Sequence, residues 1–166
     1  LVSPDCERTF NVEIIGETLD LNCGQAVDRA GVMMGLSFPC GKELEKLAEK
    51  NAKKVPKSRI SVKDGNCNLS GLENMATKLW QESGDAALVA AFTQQFIADT
   101  LIAMTNELDA RIPSLSIVYA GGVMSNRRIK ARLSSFENTY FSSPEFSSDN
   151  AAGVALLCRE RYLKEE

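Results

Sequence analysis

The segment from Val118 to Asn126 constrains this chain more than any other, because an apolar run stops there at two adjacent glycines, Gly121 and Gly122. Paired glycines at the end of a strand let the backbone approach a bound group that a Cβ atom would block. The basic helical stretch from Arg127 to Arg132 follows, and the start of a helix offers free amides to an anion. Taken alone, the glycine pair favours a plain strand–turn–helix corner without a ligand. Evidence for a ligand must therefore come from the rest of the chain.

Helices and strands are predicted to alternate along the chain. The spacing of apolar residues predicts helices at about 22–36, 42–54, 72–82, 86–110, 127–132 and 150–163. Strands are predicted at 11–16, 60–62, 67–70, 115–120 and 139–142. The strand at 115–120 is expected to be buried on both faces, because it shows no polar alternation beyond Ser116. The pattern predicts α/β layers in a single domain spanning residues 1–166, with a small helical pair early in the chain.

The composition is that of a globular domain, with 44% hydrophobic and 25% charged residues. No apolar run approaches the roughly 20 residues that a membrane helix needs, so no membrane association is expected. A formal net charge of −3 argues against a surface that binds nucleic acid throughout. Basic residues are nevertheless concentrated between Lys42 and Lys63, which makes this segment either a solvated helix face or a surface for a polyanion.

The chain contains no histidine, and its five cysteines include no Cys-x-x-Cys pair. The absence of histidine excludes a Ser-His-Asp or Cys-His catalytic unit and every histidine metal site within these residues. The cysteine count argues against a disulfide framework and a zinc ribbon, and Cys23 and Cys158 are expected to be small core residues. No catalytic residue is therefore predicted, and any chemistry would rest on carboxylates, backbone amides or a bound ion.

Three further residues are candidates for ligand binding. Asp28 shares a helical face with Gly24, and its carboxylate can accept hydrogen bonds from a ribose. Gly41 follows a turn and lets the backbone approach a ligand. Asp149 lies at a helix start, where a carboxylate caps the helix or ligates a cation. Each residue taken alone favours its ordinary alternative: an Asp28 paired with a nearby base, a plain turn at Gly41, and a helix cap at Asp149.

Taken together and in order, five sequence blocks resemble one family, the universal tRNA threonylcarbamoyladenosine synthases, called TsaD in bacteria and once described as O-sialoglycoprotein endopeptidases or glycoproteases. The blocks lie at 16–29 (GETLDLNCGQAVDR), 34–41 (MGLSFPCG), 69–73 (LSGLE), 120–126 (AGGVMSN) and 148–152 (SDNAA). The fourth block matches the family's Ala-Gly-Gly-Val-x-x-Asn without change. The resemblance extends from about Asn11 to the last predicted helix.

The resemblance implies an actin-like ATPase fold, of which this chain would be most of the second lobe. A helical insert would lie at about 22–54, and a ribonuclease-H-like sheet with flanking helices at 60–166. The implied reaction transfers a threonylcarbamoyl group from its adenylate to a tRNA adenosine beside the anticodon. The resemblance assigns residues to the adenylate or nucleotide and to the metal as follows: Asp28, Gly41, Gly121, Gly122 and Asn126 at nucleotide-binding positions, and Asp149 at the metal-ligand position.

The implied cofactor is a divalent metal, namely iron, zinc or magnesium, held by the full-length parent. The implied partners are the N-terminal lobe of the same protein, a TsaB-like paralogue or a second copy, and tRNA, all in the cytoplasm. The basic segment from Lys42 to Lys63 is then a candidate tRNA-facing surface.

Several residues depart from the family pattern. The family's first-lobe His-x-x-x-His pair has no counterpart, and its Asp, Glu, Gly and Lys are replaced by Leu21, Gln25, Cys40 and Glu73. We therefore expect a second-lobe fragment of a divergent member that is inactive by itself. Two alternatives are a non-catalytic paralogue that acts as a binding partner in the modification complex, and a lobe of another actin-like kinase or ATPase. An intact His-x-x-x-His upstream of Leu1 in the parent gene would favour the enzyme over the paralogue.

Overall fold

The computed structural model describes residues 1–5, 9–147 and 151–165, which form a mixed α/β structure. The strands are β1 (Val2–Asp5), β2 (Thr9–Val12), β3 (Ser61–Lys63), β4 (Asn66–Asn68), β5 (Ile117–Tyr119) and β6 (Thr139–Phe141). The helices are α1 (Cys23–Met33), α2 (Gly41–Glu49), α3 (Gly71–Ser83), α4 (Ala86–Arg111), α5 (Arg127–Leu133) and α6 (Ala151–Glu165). Short 3-10 turns lie at Gly122–Ser125 and Pro144–Phe146. All six predicted helices are therefore present.

The central element is α4, which packs against α1, α2, α3 and α5. Asp85 caps its start, because Asp85 Oδ1 accepts a hydrogen bond of 3.0 Å from the Leu88 amide. Helix α4 is long and apolar enough to cross a membrane, yet most of its apolar stretch is buried inside the structure. The burial of Val89, Phe96 and Ile97 identifies it as the core helix of the fold.

Helix α2 ends at Glu49, earlier than the predicted end near residue 54. The cause is the side chain of Asn51, which bonds the backbone of Lys53 in both directions, at 2.8 Å as donor and 3.1 Å as acceptor. An asparagine that binds its neighbour's backbone offers the chain an alternative to the helix. Leu44 and Ala48 still face the core, as the apolar spacing predicts.

In the described part of the chain the strands form three separate two-stranded sheets. β1 with β2 and β3 with β4 are antiparallel, whereas β5 and β6 are parallel and are connected through α5. The strand expected at 11–16 overlaps β2 only at Asn11 and Val12. The α/β character is confirmed, and the parallel β5–α5–β6 unit is the part that holds the glycine corner.

The prediction that β5 is buried on both faces is wrong. Val118 is 67% exposed, whereas the flanking Ile117 and Tyr119 are partly buried. Tyr119 stacks on Phe141 at 5.2 Å between ring centroids, and its hydroxyl shares a hydrogen bond of 2.5 Å with Thr105. Successive side chains of a strand point to opposite faces, so one face of β5 packs on α4 while the face of Val118 lies open.

The expectation that Cys158 is a core residue is wrong, because Cys158 is exposed on α6. Cys23 is partly buried and packs against the core. Among the described cysteines, Cys40 and Cys67 are the buried thiols. Helix α6 also exposes large apolar side chains, including Val154. An apolar position in this helix is therefore not a sign of burial in the core.

Candidate functional site

A cavity of about 480 Å³ opens beside α1. Its volume lies within the roughly 300–1,000 Å³ of small-molecule sites. The lining residues come from α1, from α3 and from the turn between α1 and α2: Gln25, Asp28, Arg29, Val32, Met33, Phe38 and Glu73. Polar groups and apolar walls therefore meet in one concave site that includes a residue predicted from the sequence.

Asp28 projects from α1 and is fixed by a single hydrogen bond. Its Oδ1 accepts the Cys40 amide at 2.8 Å, and no other described residue donates to its Oδ2. The alternative in which Asp28 pairs with a nearby base is not observed, because the adjacent Arg29 pairs with Glu73 at 3.0 Å. One carboxylate oxygen thus holds the local structure while the other can accept from a ligand.

Close packing between Gly31 and Cys40 holds α1 against the turn. A Cβ atom on Gly31 would lie 2.3 Å from Cys40 Cβ, so only glycine permits this approach. Burial raises the pKa of the Cys40 thiol, and the nearby carboxylates of Asp28 and Glu43 raise it further. The thiol is therefore neutral at physiological pH, and Cys40 acts as a packing residue rather than a nucleophile.

The positive charge at the cavity is largely compensated. Arg29 is the cationic residue among the described lining residues, and it forms the ion pair with Glu73. Both side chains are about half exposed, so the pair closes one side of the cavity without being buried. The cavity therefore suits the uncharged part of a ligand better than a phosphate.

The cavity also has apolar lining residues. Phe38, in the turn between α1 and α2, is 75% exposed, and Val32 on α1, which also lines the cavity, is exposed as well. An exposed aromatic ring at the mouth of a cavity offers a face on which a planar ligand ring can stack. The cavity thus combines a stacking surface with the carboxylate of Asp28.

The glycine corner directly follows β5. Gly121 has φ +102° and ψ 162°, a conformation that side-chain-bearing residues rarely adopt, and its carbonyl accepts the Met124 amide at 3.0 Å. Gly122 opens the 3-10 turn, and a Cβ atom there would meet nothing within 4 Å. Gly121 is therefore required by the backbone, whereas Gly122 leaves open space at the carboxyl end of β5.

The expectation that α5 offers free amides to an anion is wrong. Asn126 Oδ1 accepts the amides of Arg128 at 3.0 Å and Ile129 at 3.1 Å. The Arg127 amide donates to Glu45 Oε1 at 2.8 Å. Asn126 therefore caps α5, and a carboxylate from α2 completes the cap.

The structure brings together only some of the predicted residues. Gly41 begins α2 next to Cys40, so it lies close to Asp28, but it does not line the cavity. Gly121, Gly122 and Asn126 do not line it either. The start of α5, which follows them, is joined to α2 by the contacts of Arg127 with Glu45. Asp149 lies outside the residues that the structure describes.

Asp20, for which the sequence pattern predicts no role, connects the first sequence block to the residues that precede α3. Its carboxylate accepts the amides of Leu21, Leu69 and Ser70 and the Ser70 hydroxyl, at 2.5–3.1 Å. Desolvation raises the pKa of Asp20, but the bonds from Ser70, Leu69 and Leu21 outweigh it and lower the pKa to about 2. The Leu19 amide also donates to the Cys67 carbonyl at 2.9 Å. The first sequence block is thereby tied to the start of α3, which carries Glu73.

The described residues do not fit a metal by themselves. The chain has no histidine, and within 1–5, 9–147 and 151–165 no group of three or more Cys, Asp or Glu side chains is placed to hold an ion. Metal ligands in proteins come from such clusters.

Comparison with known proteins places these features in a family context. The family model described as "TsaD: tRNA N6-adenosine threonylcarbamoyltransferase" matches residues 6–156. A tRNA N6-adenosine threonylcarbamoyltransferase of Buchnera aphidicola subsp. Acyrthosiphon pisum (strain Tuc7) is 32% identical over 158 residues, covering 87% of this chain and 47% of the relative. The protein of the same name from Streptococcus pyogenes serotype M5 (strain Manfredo) is 32% identical over 164 residues, covering 92% and 48%. The chain spans about half the length of the curated relatives it matches.

Proposed function

The chain belongs to the TsaD family of tRNA N6-adenosine threonylcarbamoyltransferases, and we propose that it supplies the adenylate-binding half of such an enzyme. The whole protein would transfer a threonylcarbamoyl group from its adenylate to a tRNA adenosine beside the anticodon. The observation that carries the proposal is Asp28, which lines a ligand-sized cavity while its Oδ1 is fixed by the Cys40 amide.

The nucleoside part of the adenylate is the part that this cavity would hold. Ribose hydroxyls would donate to Asp28 Oδ2, and the base would stack on Phe38. The phosphate would lie outside the cavity, because Arg29 is engaged by Glu73. We assign no catalytic residue to this chain; its residues bind and orient the nucleoside.

The proposed phosphate end of the ligand lies toward the glycine corner. In parallel α/β structures, ligands bind beyond the carboxyl ends of the strands, which is where Gly121 and Gly122 follow β5. Gly41 and Asn126 complete the proposed nucleotide contacts, Gly41 through its unhindered backbone and Asn126 through its remaining amide Nδ2. The parallel β5–α5–β6 unit supports the second lobe of an actin-like ATPase fold as the architecture.

We propose further that the reaction needs parts outside this chain. The support is the length of the relatives, which this chain spans by about half. The N-terminal lobe of the same protein would face the glycine corner, and a divalent metal would be held by the whole protein with Asp149 as one proposed ligand. A TsaB-like paralogue or a second copy and tRNA are the proposed partners, and the cytoplasm is the proposed compartment.

Calorimetric titration of the 166-residue chain with adenosine and with 2′,3′-dideoxyadenosine tests the nucleoside site. We expect adenosine to bind roughly tenfold more tightly or better, because a hydrogen bond to a charged group is lost with each missing hydroxyl. Equal affinities would contradict hydroxyl recognition by Asp28. The base-stacking part is tested by Phe38→Ala, which should weaken both ligands by a similar factor.

A transfer assay separates the half-site from a complete enzyme. The chain alone, with adenylate, tRNA and added Mg²⁺, Zn²⁺ or Fe²⁺, is expected to transfer no threonylcarbamoyl group, whereas the full-length protein is expected to do so. Transfer by the chain alone would overturn the half-site proposal. Binding of adenosine without transfer would support it.

A second candidate is a non-catalytic paralogue that acts as a binding partner in the modification complex. It is favoured by the structural roles of the residues that depart from the family pattern. Leu21 is buried in the core, Gln25 Oε1 accepts the Asn22 amide at 3.4 Å as part of a capping box, and Glu73 pairs with Arg29. A full-length protein that binds adenosine but transfers nothing, and that lacks the His-x-x-x-His pair, would establish this alternative.

A further inference from the structure

A second pocket, of about 120 Å³, lies between α4 and α5, separate from the cavity beside α1. Its lining consists of Gln94, Gln95, Ala98, Arg128 and Arg132. Two guanidinium groups and two amides thus line a small volume, and the described lining contains no carboxylate. Arg128 and Arg132 are four residues apart, so they lie on one face of α5.

Gln94 is the feature that needs an explanation. Only 2% of the residue is exposed, and neither Nε2 nor Oε1 of its amide has a hydrogen-bond partner among the described residues. A buried amide without a partner costs roughly 1–3 kcal/mol, so native structures rarely retain one. Its buried neighbours on α4 include the apolar residues Phe96 and Ile97, which offer the amide no hydrogen-bonding side chain.

Each of the two arginines is held in place by a protein contact, but retains N–H donors. Arg128 Nη1 donates to the Ala48 carbonyl at 2.7 Å, and Arg132 Nη2 forms an ion pair with Asp99 at 2.6 Å. Asp99 is itself bonded by the Ser58 hydroxyl. A guanidinium group carries five N–H donors, so each arginine retains donors for a ligand. One of the two positive charges is balanced by Asp99, which leaves a net charge of about +1 at the pocket.

These donors and acceptors define the ligand chemistry. The arginines favour acceptor oxygens with negative charge, Gln94 Nε2 requires an acceptor, and Gln94 Oε1 requires a donor. A hydrogen phosphate ion offers both on one small group. We propose that the pocket between α4 and α5 binds a small protonated oxyanion of the phosphate type. The proposal does not depend on the nucleoside site at α1, because the two pockets share no lining residue.

Titration of the 166-residue chain with three anions at neutral pH and constant ionic strength tests the ligand class. Inorganic phosphate carries acceptors and an O–H, whereas sulfate and dimethyl phosphate lack the O–H. We expect phosphate to bind roughly tenfold more tightly than either of the others. Equal binding of sulfate would overturn the role of Gln94 Oε1. Equal binding of dimethyl phosphate would overturn the proposal in favour of a nucleic-acid phosphodiester.

A pair of charge-matched variants on α5 tests the location. Arg128→Gln and Lys130→Gln each remove one positive charge, but Lys130 Nζ lies 5.1 Å from the centre of the Phe141 ring and does not line the pocket. We expect Arg128→Gln to weaken phosphate binding roughly tenfold or more, and Lys130→Gln to change it by less than about twofold. Equal effects of the two substitutions would mean that phosphate responds only to net charge, which would overturn the site.

The Gln94→Leu variant tests the amide itself. We expect it to lose phosphate binding roughly tenfold or more while its unfolding midpoint in phosphate-free buffer is unchanged or raised. A Gln94→Leu chain that binds phosphate like the parent would overturn the proposal, whatever its stability. If this variant fails to fold, the comparison of Arg128→Gln with Lys130→Gln decides the question.

Discussion

The backbone amide of Cys40 lies 2.8 Å from Asp28 Oδ1, so the residue before α2 fixes a carboxylate on α1. The bond joins two of the sequence blocks, and the contact between Gly31 and Cys40 supports it from the other side. The orientation of Asp28 therefore depends on the packing of α1 against the turn. Substitutions can separate the structural oxygen of this carboxylate from the one proposed to bind ligand.

Asp28→Asn is expected to weaken adenosine binding roughly tenfold while leaving the urea midpoint nearly unchanged. The asparagine carbonyl can still accept the Cys40 amide, but the charged acceptor for the ribose is lost. The matched control is Glu82→Gln, which removes an exposed carboxylate from α3. Calorimetry with adenosine measures the effect, and an equal loss in Glu82→Gln would show that general charge rather than Asp28 is responsible.

Gly31→Ala is expected to destabilise the fold by about 1–3 kcal/mol, because its Cβ would overlap Cys40. Cys40→Gly in the same chain should restore most of that loss, since it removes both clashing atoms. Gly24→Ala, on the same helix with open space around it, should be neutral or slightly stabilising. Urea unfolding of the double-mutant cycle measures the coupling, and an unrescued Gly31→Ala would contradict the assigned contact.

The sequence predicted the helices well where periodicity was strong. α3 and α4 lie within two residues of their predicted ends, because their apolar stripes and the Gly84 and Asp85 boundary are local signals. The predicted α2 is too long because apolar spacing does not reveal that the Asn51 side chain bonds the backbone of Lys53. The burial of β5 was misjudged because a short apolar run does not show how many neighbouring strands the structure supplies.

The sequence could indicate candidate site residues only where the signals are local. Asp28 lines the cavity, and it lies on α1, where the apolar spacing predicts a helix. Asp20 was missed because its partners Leu69 and Ser70 lie about 50 residues away, and no short-range pattern records such a bond. Asn126 was assigned to a nucleotide although its position before a helix also predicts the cap that the structure contains.

Gly121→Ala and Gly122→Ala are expected to affect different properties. Gly121 has φ +102°, so alanine there should destabilise the fold by about 1–3 kcal/mol. Gly122 has open space around it, so alanine should leave the melting temperature nearly unchanged. If a ligand approaches that backbone, Gly122→Ala should weaken AMP binding by the full-length protein. An unchanged AMP affinity would remove Gly122 from the proposed site.

Asp20→Asn is expected to lower stability by about 1 kcal/mol at neutral pH, allowing for the solvent exposure of Asp20. The pKa of Asp20 falls from 3.8 to about 2 on folding, so the ionised form stabilises the native state above the unfolded value. The difference between parent and variant should therefore persist above pH 3.8 and disappear as the pH falls toward 2. Urea unfolding at several pH values measures it, and a difference independent of pH would contradict the role of the charge.

Lys50→Gln and Lys54→Gln are expected to weaken tRNA binding by the full-length protein, because both exposed lysines belong to the basic segment. Lys53 is left intact, since it pairs at 2.7 Å with Asp85, the cap of α4, and its loss would also disturb that helix. Each lysine that contacts a phosphate should reduce the slope of log Kd against log salt by about 1. Lys78→Gln on α3 is the control outside the segment. Because counterion release makes the slope report phosphate contacts specifically, an unchanged slope in the double variant would rule out this segment as the tRNA-facing surface.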